Sequence, residues 1–215
     1  MNSSLIANLR AELAHWDGMI QSQGGPATAY VRRGMARFKL ADVTGAIADF
    51  DQAEVLEPNL TPYLWQRGLA YYYTGQFAEG AAQFERDLQV NLHDIEETVW
   101  RYLCEARLTD GDAARRVLTP IATSVQSDGR RVMQLVYELC AQAATPGQVL
   151  EVGGQLGDRG QFYAHLYVGL YHEAFGRGDK AQQFVAIATQ SFPQPEDYMW
   201  HLARVHCQLR GWPIA

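Results

Sequence analysis

The chain has 215 residues, of which 47% are hydrophobic and 20% are charged, a composition typical of a globular protein with a substantial core. Its 18 basic and 24 acidic residues give a net charge of -6, which argues against a nucleic-acid partner because phosphate binding needs a positive field. No apolar run is long enough to cross a bilayer, so we expect one folded body without a transmembrane segment.

The cysteine content limits the class of protein further. The three cysteines, Cys104, Cys140 and Cys207, are far apart and odd in number, so neither a disulfide framework nor a Cys-rich zinc site is indicated. We therefore expect the protein to act in a reducing compartment.

The N-terminal segment has the pattern of an amphipathic helix. Apolar side chains recur at three- and four-residue steps across residues 3–21, from Leu5 to Ile20, and Ser3 or Ser4 can cap the first turn. A Gly-rich break follows, and Pro26 suits the first turn of the next helix. The apolar face of this helix must therefore pack on the structure that follows it.

From residue 27 onward the sequence repeats with a period of 34 residues. Gly34 is followed one period later by Gly68, and Phe50 is followed in the same way by Phe84. A period of this length is typical of tetratricopeptide arrays, in which each repeat is a pair of helices that packs on its neighbours.

The first unit, residues 27–60, resembles the tetratricopeptide consensus closely. Gly34 stands where the paired helices of that family cross, Ala46 follows twelve places later, Phe50 sixteen later and Pro58 twenty-four later. Glycine and alanine let two helix backbones approach closely, and the large ring fills the space beside them. The four residues together identify this unit as a tetratricopeptide repeat.

The next units keep this pattern to different degrees. Residues 61–94 repeat it with Gly68, Gly80 and Phe84, whereas residues 95–128 keep only Ala114 and Leu118 in register, with Tyr102 at the crossing position and Pro120 inside the second helix. Residues 129–161 lack the signature but contain two helical segments. We therefore predict that residues 61–94 form a second repeat and that the units at residues 95–128 and 129–161 are degenerate.

The pattern returns near the C-terminus. Gly169, Ala181, Ala188 and Pro193 have the family spacings within a unit at residues 162–195, and residues 196–210 form a final helix that covers the last apolar face. The chain as a whole is therefore predicted to be all-α: a single domain over residues 1–215, built as a right-handed superhelix of about five helix pairs with an N-terminal helix and a C-terminal capping helix.

One subset of the family is similar to this chain in more detail. The run RGLAYYYTGQFAEGAAQF, followed by ETVWRYLCEARLTDGDAARRVL, resembles bacterial NlpI-type lipoprotein adaptors and plastid tetratricopeptide proteins. The first group docks proteases and cell-wall hydrolases onto substrates, in some cases as homodimers, but this chain lacks a lipidation cysteine near its start. Because the cysteines indicate a reducing compartment, we expect the cytoplasm or a plastid stroma-like reducing compartment, or the periplasm if a targeting segment has been removed.

In such arrays the first helix of each pair lines a concave groove, and helical spacing from the crossing glycine indicates which side chains project into it. These are Val31, Met35, Phe38, Trp65, Leu69, Tyr72, Tyr73, Val99, Trp100, Leu103, Arg107, Tyr163, Tyr167 and Leu170. Trp, Tyr and Arg dominate binding hot spots, so we predict a non-enzymatic adaptor that holds a partner protein segment there. The alternative for each ring is packing between repeats or against the other end of the superhelix.

The groove does not have the residues of the carboxylate clamp. Chaperone-binding members of the family hold a C-terminal acidic tail with Lys, Asn and Arg, whereas the corresponding positions here are Val31, Met35, Gln66, Glu96 and Trp100. A segment rich in apolar or aromatic side chains fits these residues better than a peptide carboxylate does.

Three arginines recur one period apart, at Arg33, Arg67 and Arg101. Guanidinium groups bind phosphate or carboxylate bidentately, so the column is one candidate for a ligand grip. The favoured alternative is ion pairing inside the repeats, because the partner helices carry Asp49, Asp51 and Glu85.

Four histidines cluster near the C-terminus, at His165, His172, His201 and His206, with Glu173 and Cys207 beside them. A small-ligand or metal site is the hypothesis of a different class, but no pair has the four-residue spacing that directs two imidazoles at one ion from a helix. We therefore expect packed or solvated histidines and no metal.

The sequence contains no motif for catalysis or for a cofactor. The Gly-rich stretches lack a flanking strand, and no Ser or Cys lies in a recognisable nucleophile turn. The adjacent carboxylates Glu96 and Glu97 are expected to cap a helix or to face solvent. A homodimeric scaffold, associating through Trp16, Trp200 or Trp212, is the competing function for the same fold.

Overall fold

The computed structural model describes residues 3–92, 94–118 and 131–213, and these ranges contain helices, turns and no strand. The predicted all-α fold is confirmed, and the architecture is a helical repeat solenoid. The α-helices are α1 (Ser3–Gln23), α2 (Ala27–Lys39), α3 (Val43–Leu56), α4 (Trp65–Tyr73), α5 (Phe77–Val90), α6 (Ile95–Leu108), α7 (Arg131–Cys140), α8 (Pro146–Gln155), α9 (Gly157–Ala174), α10 (Gly178–Ser191) and α11 (Tyr198–Arg210). Two 3-10 helices span Pro58–Tyr63 and Ala113–Val117.

Local capping residues set where several helices begin. The side chain of Asp42 accepts a hydrogen bond from the backbone N–H of Gly45 at 3.0 Å, which starts α3. Asp94 caps α6 in the same way. At α8, Thr145 and Gln148 form a reciprocal capping box. These side chains satisfy N–H groups that have no partner inside the first turn of a helix.

The predicted crossing glycines lie where paired helices touch. A Cβ atom on Gly34 would lie 2.9 Å from the ring of Phe50, and one on Gly68 would lie 2.7 Å from the ring of Phe84. In the last repeat a Cβ on Gly169 would lie 2.6 Å from Val185. Real Cβ atoms do not approach other atoms so closely, so only glycine permits these contacts.

The third unit departs from the family pattern after its first helix. After α6 the chain forms the short 3-10 helix Ala113–Val117, and Pro120, predicted to lie inside the second helix of this unit, falls outside the described residues. Tyr102, at the crossing position, is fully buried, and its hydroxyl donates a hydrogen bond to the Gly111 carbonyl at 3.0 Å. A side chain of this size fills the space into which a glycine would admit a partner helix.

The join between the fourth and fifth units also differs from the prediction. α9 begins at Gly157, before the predicted unit boundary at residue 162. α8 and α9 cross at two glycines, because a Cβ on Gly153 would lie 2.8 Å from the carbonyl oxygen of Gly160. The close crossing therefore persists in a unit without the family signature.

The arginine column forms ion pairs, but only that of Arg33 with Asp49 lies inside one repeat as predicted, because Arg67 and Arg101 pair with carboxylates of the preceding repeat. Arg33 contacts Asp49 of the same repeat at 2.6 Å and Asp17 of α1 at 2.9 Å. Arg101 contacts Glu85 at 2.8 Å, and that pair links the third unit to the second.

The pairing of Arg67 also joins successive repeats. Its guanidinium contacts Asp51 at 3.0 Å and Glu54 at 2.6 Å, both on α3, and donates to the Gln83 side chain on α5. The Arg67 side chain is only 3% exposed. The arginine is therefore an internal link across three helices rather than a surface group that awaits a ligand.

The array is closed by its C-terminal helix. α11 packs on α10, as a capping helix should, and it also packs on α2 in the first repeat. The hydrophobic core is correspondingly one cluster that runs from Phe38 in α2 to Cys207 in α11.

All three cysteines are buried free thiols. Among the described helices, none combines the length and the apolar character that a membrane-spanning segment requires.

The substitution Gly68→Ala tests the crossing. The new methyl group would overlap the Phe84 ring, so we expect a loss of about 1–3 kcal/mol in the free energy of unfolding, measured with urea. Gly18→Ala is the matched control, because nothing lies within 4 Å of a Cβ at that position in α1. The control should keep or raise stability, by roughly 0.5–1 kcal/mol. Equal stability of the two variants would show that the helix register is wrong.

Candidate functional site: a partly filled concave groove

The last helix, α11, lies against α2 and α4, two of the helices predicted to line the groove. Tyr198 of α11 stacks on Phe38 with ring centroids 5.6 Å apart, and it meets the edge of Trp65 at 5.3 Å. Further along α11, the ring of His206 accepts or donates a hydrogen bond at 3.0 Å with the Tyr73 hydroxyl. The C-terminal helix thus occupies part of the groove that its own array forms.

A second set of contacts fills the opposite side of the groove. The indole N–H of Trp100 in α6 donates to the Tyr167 hydroxyl of α9 at 3.1 Å, and that hydroxyl donates in turn to the Glu96 carboxylate. Tyr163 donates to Asp197 at 3.0 Å, at the start of α11. Aromatic side chains of α6 and α9 therefore contact one another.

The predicted groove residues are brought together, but most of them are interior. Those that are buried are Phe38, Leu69, Tyr72, Val99, Trp100, Leu103, Tyr163, Tyr167 and Leu170. Val31, Met35, Trp65 and Tyr73 are half-buried against this core. The side chain of Arg107 is 33% exposed. The surface area that a partner can reach is therefore smaller than it would be in an open groove lined by the same residues.

Glu173 of α9 is the polar centre of this packing. Its carboxylate accepts a hydrogen bond from the Tyr72 hydroxyl at 2.9 Å and from Arg210 at 2.6 Å. Arg107 of α6 lies 3.4 Å away and His206 of α11 lies 3.8 Å away. One carboxylate therefore connects α9 to α4, α6 and α11.

The environment sets the charge of these groups. Burial acts to raise the pKa of Glu173, but the interactions with His206, Arg210 and Tyr72 outweigh it and leave that pKa below its ordinary value. Burial lowers the pKa of His206 to about 4. Near pH 7 the centre is therefore an ionised carboxylate held by two arginines, with a neutral imidazole beside it.

A cavity of about 730 Å³ remains open in the groove, and we call it the groove cavity. Its apolar wall contains Trp65, Leu69, Trp100, Tyr163 and Tyr198. Tyr63 and Val90 also line it and are 60% and 49% exposed. The cavity thus has a buried aromatic wall and an apolar rim that a partner can reach.

The other wall of the groove cavity is acidic. Its carboxylates are Asp94, Glu96, Glu97, Glu196 and Asp197. Its one guanidinium, Arg159, contacts Asp197 at 3.2 Å and lies over the ring of Tyr163. The cavity therefore presents an excess of negative charge beside aromatic rings.

Glu97 is the carboxylate whose charge state is most altered. Its Oε2 atom is buried and has no hydrogen-bond partner among the described residues. Burial, followed by the nearby charges of Asp94 and Asp87, raises its pKa to about 8. Glu96 and Glu97 were expected to cap a helix or to face solvent, and that expectation is wrong, because both line the cavity and Asp94 supplies the cap.

Sequence reasoning missed Tyr63 and Val90. Tyr63 lies in the 3-10 helix between two repeats, and Val90 ends α5, so neither belongs to the first helix of a pair. One sequence feature could have identified both residues: each is a large apolar side chain at the end of a repeat, where the periodic pattern provides no packing partner for it.

The four C-terminal histidines have separate surroundings. The imidazole of His165 contacts the Gln161 carbonyl, and that of His201 contacts the Pro195 carbonyl at 2.9 Å. His172 stacks on Phe184. In the described part of the chain, no three His, Cys, Asp or Glu side chains are placed to hold a metal ion.

The tryptophans of the dimer hypothesis are also accounted for. Trp200 is 6% exposed and Trp212 packs on the core beside His206, so neither presents a whole ring to solvent. Trp16 is half-buried on α1. Association of two chains through these rings remains a prediction.

The substitution Glu173→Gln tests the polar centre. It removes the charge that Arg210 and Arg107 share, so we expect a loss of about 2–4 kcal/mol in the free energy of unfolding. Glu85→Gln, which breaks the more exposed pair with Arg101, is the control and should cost about 0–1 kcal/mol. Urea unfolding measures both, and equal losses would contradict a special role for Glu173.

The substitution Glu97→Gln should change the pH dependence of stability. The pKa of Glu97 is raised in the folded chain, so its contribution is present below the unfolded pKa and is lost as pH rises towards about 8. A glutamine side chain cannot ionise, so we expect the variant to match the wild type at about pH 5 and to exceed it by roughly 1–3 kcal/mol at about pH 9. Urea unfolding at several pH values measures this, and a pH-independent difference would contradict it.

Comparison with known proteins bears on the fold. No protein-family model matches the chain, and no curated protein matches it either. Among solved structures it is similar to a tetratricopeptide repeat protein from Parabacteroides merdae ATCC 43184, with a TM-score of 0.59 and 13% sequence identity, over 93% of this chain and 78% of that chain. The finer resemblance to NlpI-type adaptors remains a prediction. The chain has the fold of tetratricopeptide repeat proteins.

Proposed function

We propose that this chain is a non-enzymatic adaptor that binds a segment of a partner protein in the groove cavity. The observation that carries the proposal is an open cavity of about 730 Å³ with aromatic rings on one wall and carboxylates on the other. Helical repeat arrays commonly use their concave face to hold extended partners. The cavity lies on that face, between the first repeats and α11.

The chemistry of the cavity favours one kind of segment. Trp65 and the exposed rim residues Tyr63 and Val90 offer apolar contact area. Near pH 7 Glu97 is mostly protonated, but the other four carboxylates still outnumber Arg159 in the lining and favour positive charge on the partner, and the face of an aromatic ring also attracts a cation. We therefore infer a segment in which apolar or aromatic side chains alternate with lysine or arginine.

The non-enzymatic part of the proposal rests on the groups that surround the cavity. Burial raises the pKa values of Cys104 and Cys140 far above neutrality, and raises that of Cys207 to about 11, so these thiols are poor nucleophiles. In the part of the chain that the structure describes, no histidine lines the cavity. The lining residues supply surfaces for contact rather than an acid, base and nucleophile in one place.

The double substitution Tyr63→Ser, Val90→Ser tests the proposal. Both side chains are largely exposed, so the variant should fold normally but lose about tenfold or more in affinity for the segment. Peptides selected from a random displayed library on the wild-type chain provide the probe. We expect them to combine basic with apolar residues, and to bind less tightly as salt is added, because their charges are then screened.

The control for this test is Leu108→Ser. Leu108 is 49% exposed, the same fraction as Val90, but it lies at the end of α6 and outside the groove cavity. It should keep the wild-type affinity. Selected peptides that bind the double variant as well as the wild type would move the binding surface elsewhere. If light scattering shows a dimer, and the interface of that dimer covers Tyr63 and Val90, the homodimeric scaffold would be favoured instead.

A further inference from the structure

A second cavity, of about 600 Å³, lies away from the groove between α1, the end of α10 and the start of α11. Its lining includes Asn8, Lys39, Gln190, Trp200 and Arg204. A volume of this size is typical of sites that enclose a small molecule. We call it the Arg204 cavity.

Arg204 has an unusual environment for an arginine. It is 8% exposed, and it forms no hydrogen bond and no ion pair with any residue that the structure describes. Its Nη2 atom is buried without a partner, and its guanidinium carbon lies 4.8 Å from the centroid of the Trp200 ring. This cation–π contact with Trp200 supplies no counter-charge.

The contrast with Arg67, which is also buried, is informative. Arg67 is 2% exposed, and its guanidinium is held by Asp51, Glu54 and Gln83. A buried cation without such partners is strongly unfavourable, because it has given up water without gaining a counter-charge. Burial lowers the pKa of Arg204, yet an arginine remains protonated near pH 7. The folded chain therefore contains an unbalanced positive charge at the wall of a cavity.

The charged neighbours in the Arg204 cavity do not supply the missing anion. Glu12 lies 3.3 Å from Lys39 and shares its charge with that lysine. Glu196 lines the cavity but is exposed to solvent. His201 contacts the Pro195 carbonyl through its Nε2 atom. The amide side chains of Asn8 and Gln190 add hydrogen-bond donors to the same wall.

We propose that the Arg204 cavity binds a small molecule through a carboxylate or phosphate group, with Arg204 as the anchoring cation. Guanidinium groups bind both oxyanions through parallel hydrogen bonds, and a partly dry site makes the interaction strong. The body of the ligand has the Trp200 ring and the prolines before α11 to pack against. This site is separate from the groove cavity, so it does not depend on the adaptor proposal.

The test is binding of inorganic phosphate and of succinate, each measured by calorimetry and by thermal unfolding at constant ionic strength against chloride. For the wild-type chain we expect the melting temperature to rise by roughly 5–10 °C at about 100 times the dissociation constant. A response to phosphate alone assigns a phosphate group, one to succinate alone assigns a carboxylate, and responses to both fit the shared chemistry. No response to either anion overturns the proposal.

Arg204→Met removes the charge while keeping a long side chain over Trp200. We expect affinity for the responding anion to fall by about 10- to 100-fold, and stability without anion to stay the same or rise. Arg10→Met is the control, because Arg10 is an exposed arginine on α1, and it should bind like the wild type. Binding to Arg204→Met that equals wild-type binding would overturn the proposal.

A further variant guards against a folding defect. Arg204→Lys keeps the positive charge but not the two-pronged geometry, so it should fold and still bind more weakly than Arg10→Met. If Arg204→Met does not fold, unchanged affinity of a folded Arg204→Lys would overturn the proposed two-pronged contact between Arg204 and the anion.

Discussion

The interaction on which this architecture depends is the set of contacts made by the carboxylate of Glu173. Tyr72 and Arg107 reach it from the early repeats, and Arg210 and His206 reach it from the last helix. A buried carboxylate is tolerable only where donors surround it, so this centre specifies how the two ends of the array must meet. The aromatic contacts around it then follow from the fixed positions of α4, α6, α9 and α11.

Closure of the array changes what its concave face can do. In an open solenoid the rings on the first helices would be free to contact a partner, whereas here most of them contact one another. The space left over is chemically divided: the groove cavity is acidic and aromatic, and the Arg204 cavity carries an unbalanced cation. The walls of the two cavities therefore differ in the sign of their charge.

Several features could be predicted from the sequence because they are local. The period brings Gly34 and Gly68 against Phe50 and Phe84, and this contact depends only on neighbouring helices. The ion pair of Arg33 with Asp49 has the same origin. Packing of the groove rings against the other end of the superhelix was one alternative from the sequence, but the particular contact of Tyr198 with Phe38 could not be predicted. Periodicity describes how adjacent repeats pack and not how far the superhelix curves before its ends touch. The groove cavity could not be predicted for the same reason.

The hydrogen bond between Tyr73 and His206 joins residues that are 133 positions apart in the chain. Open repeat arrays can lose their terminal units one at a time, since each unit contacts only its neighbours. A contact of this span removes that freedom, so α4 and α11 belong to one cooperative unit. Because the two residues are far apart in the sequence, much of the chain must be ordered before this hydrogen bond can form. We therefore expect α11 to dock on the early repeats late in folding.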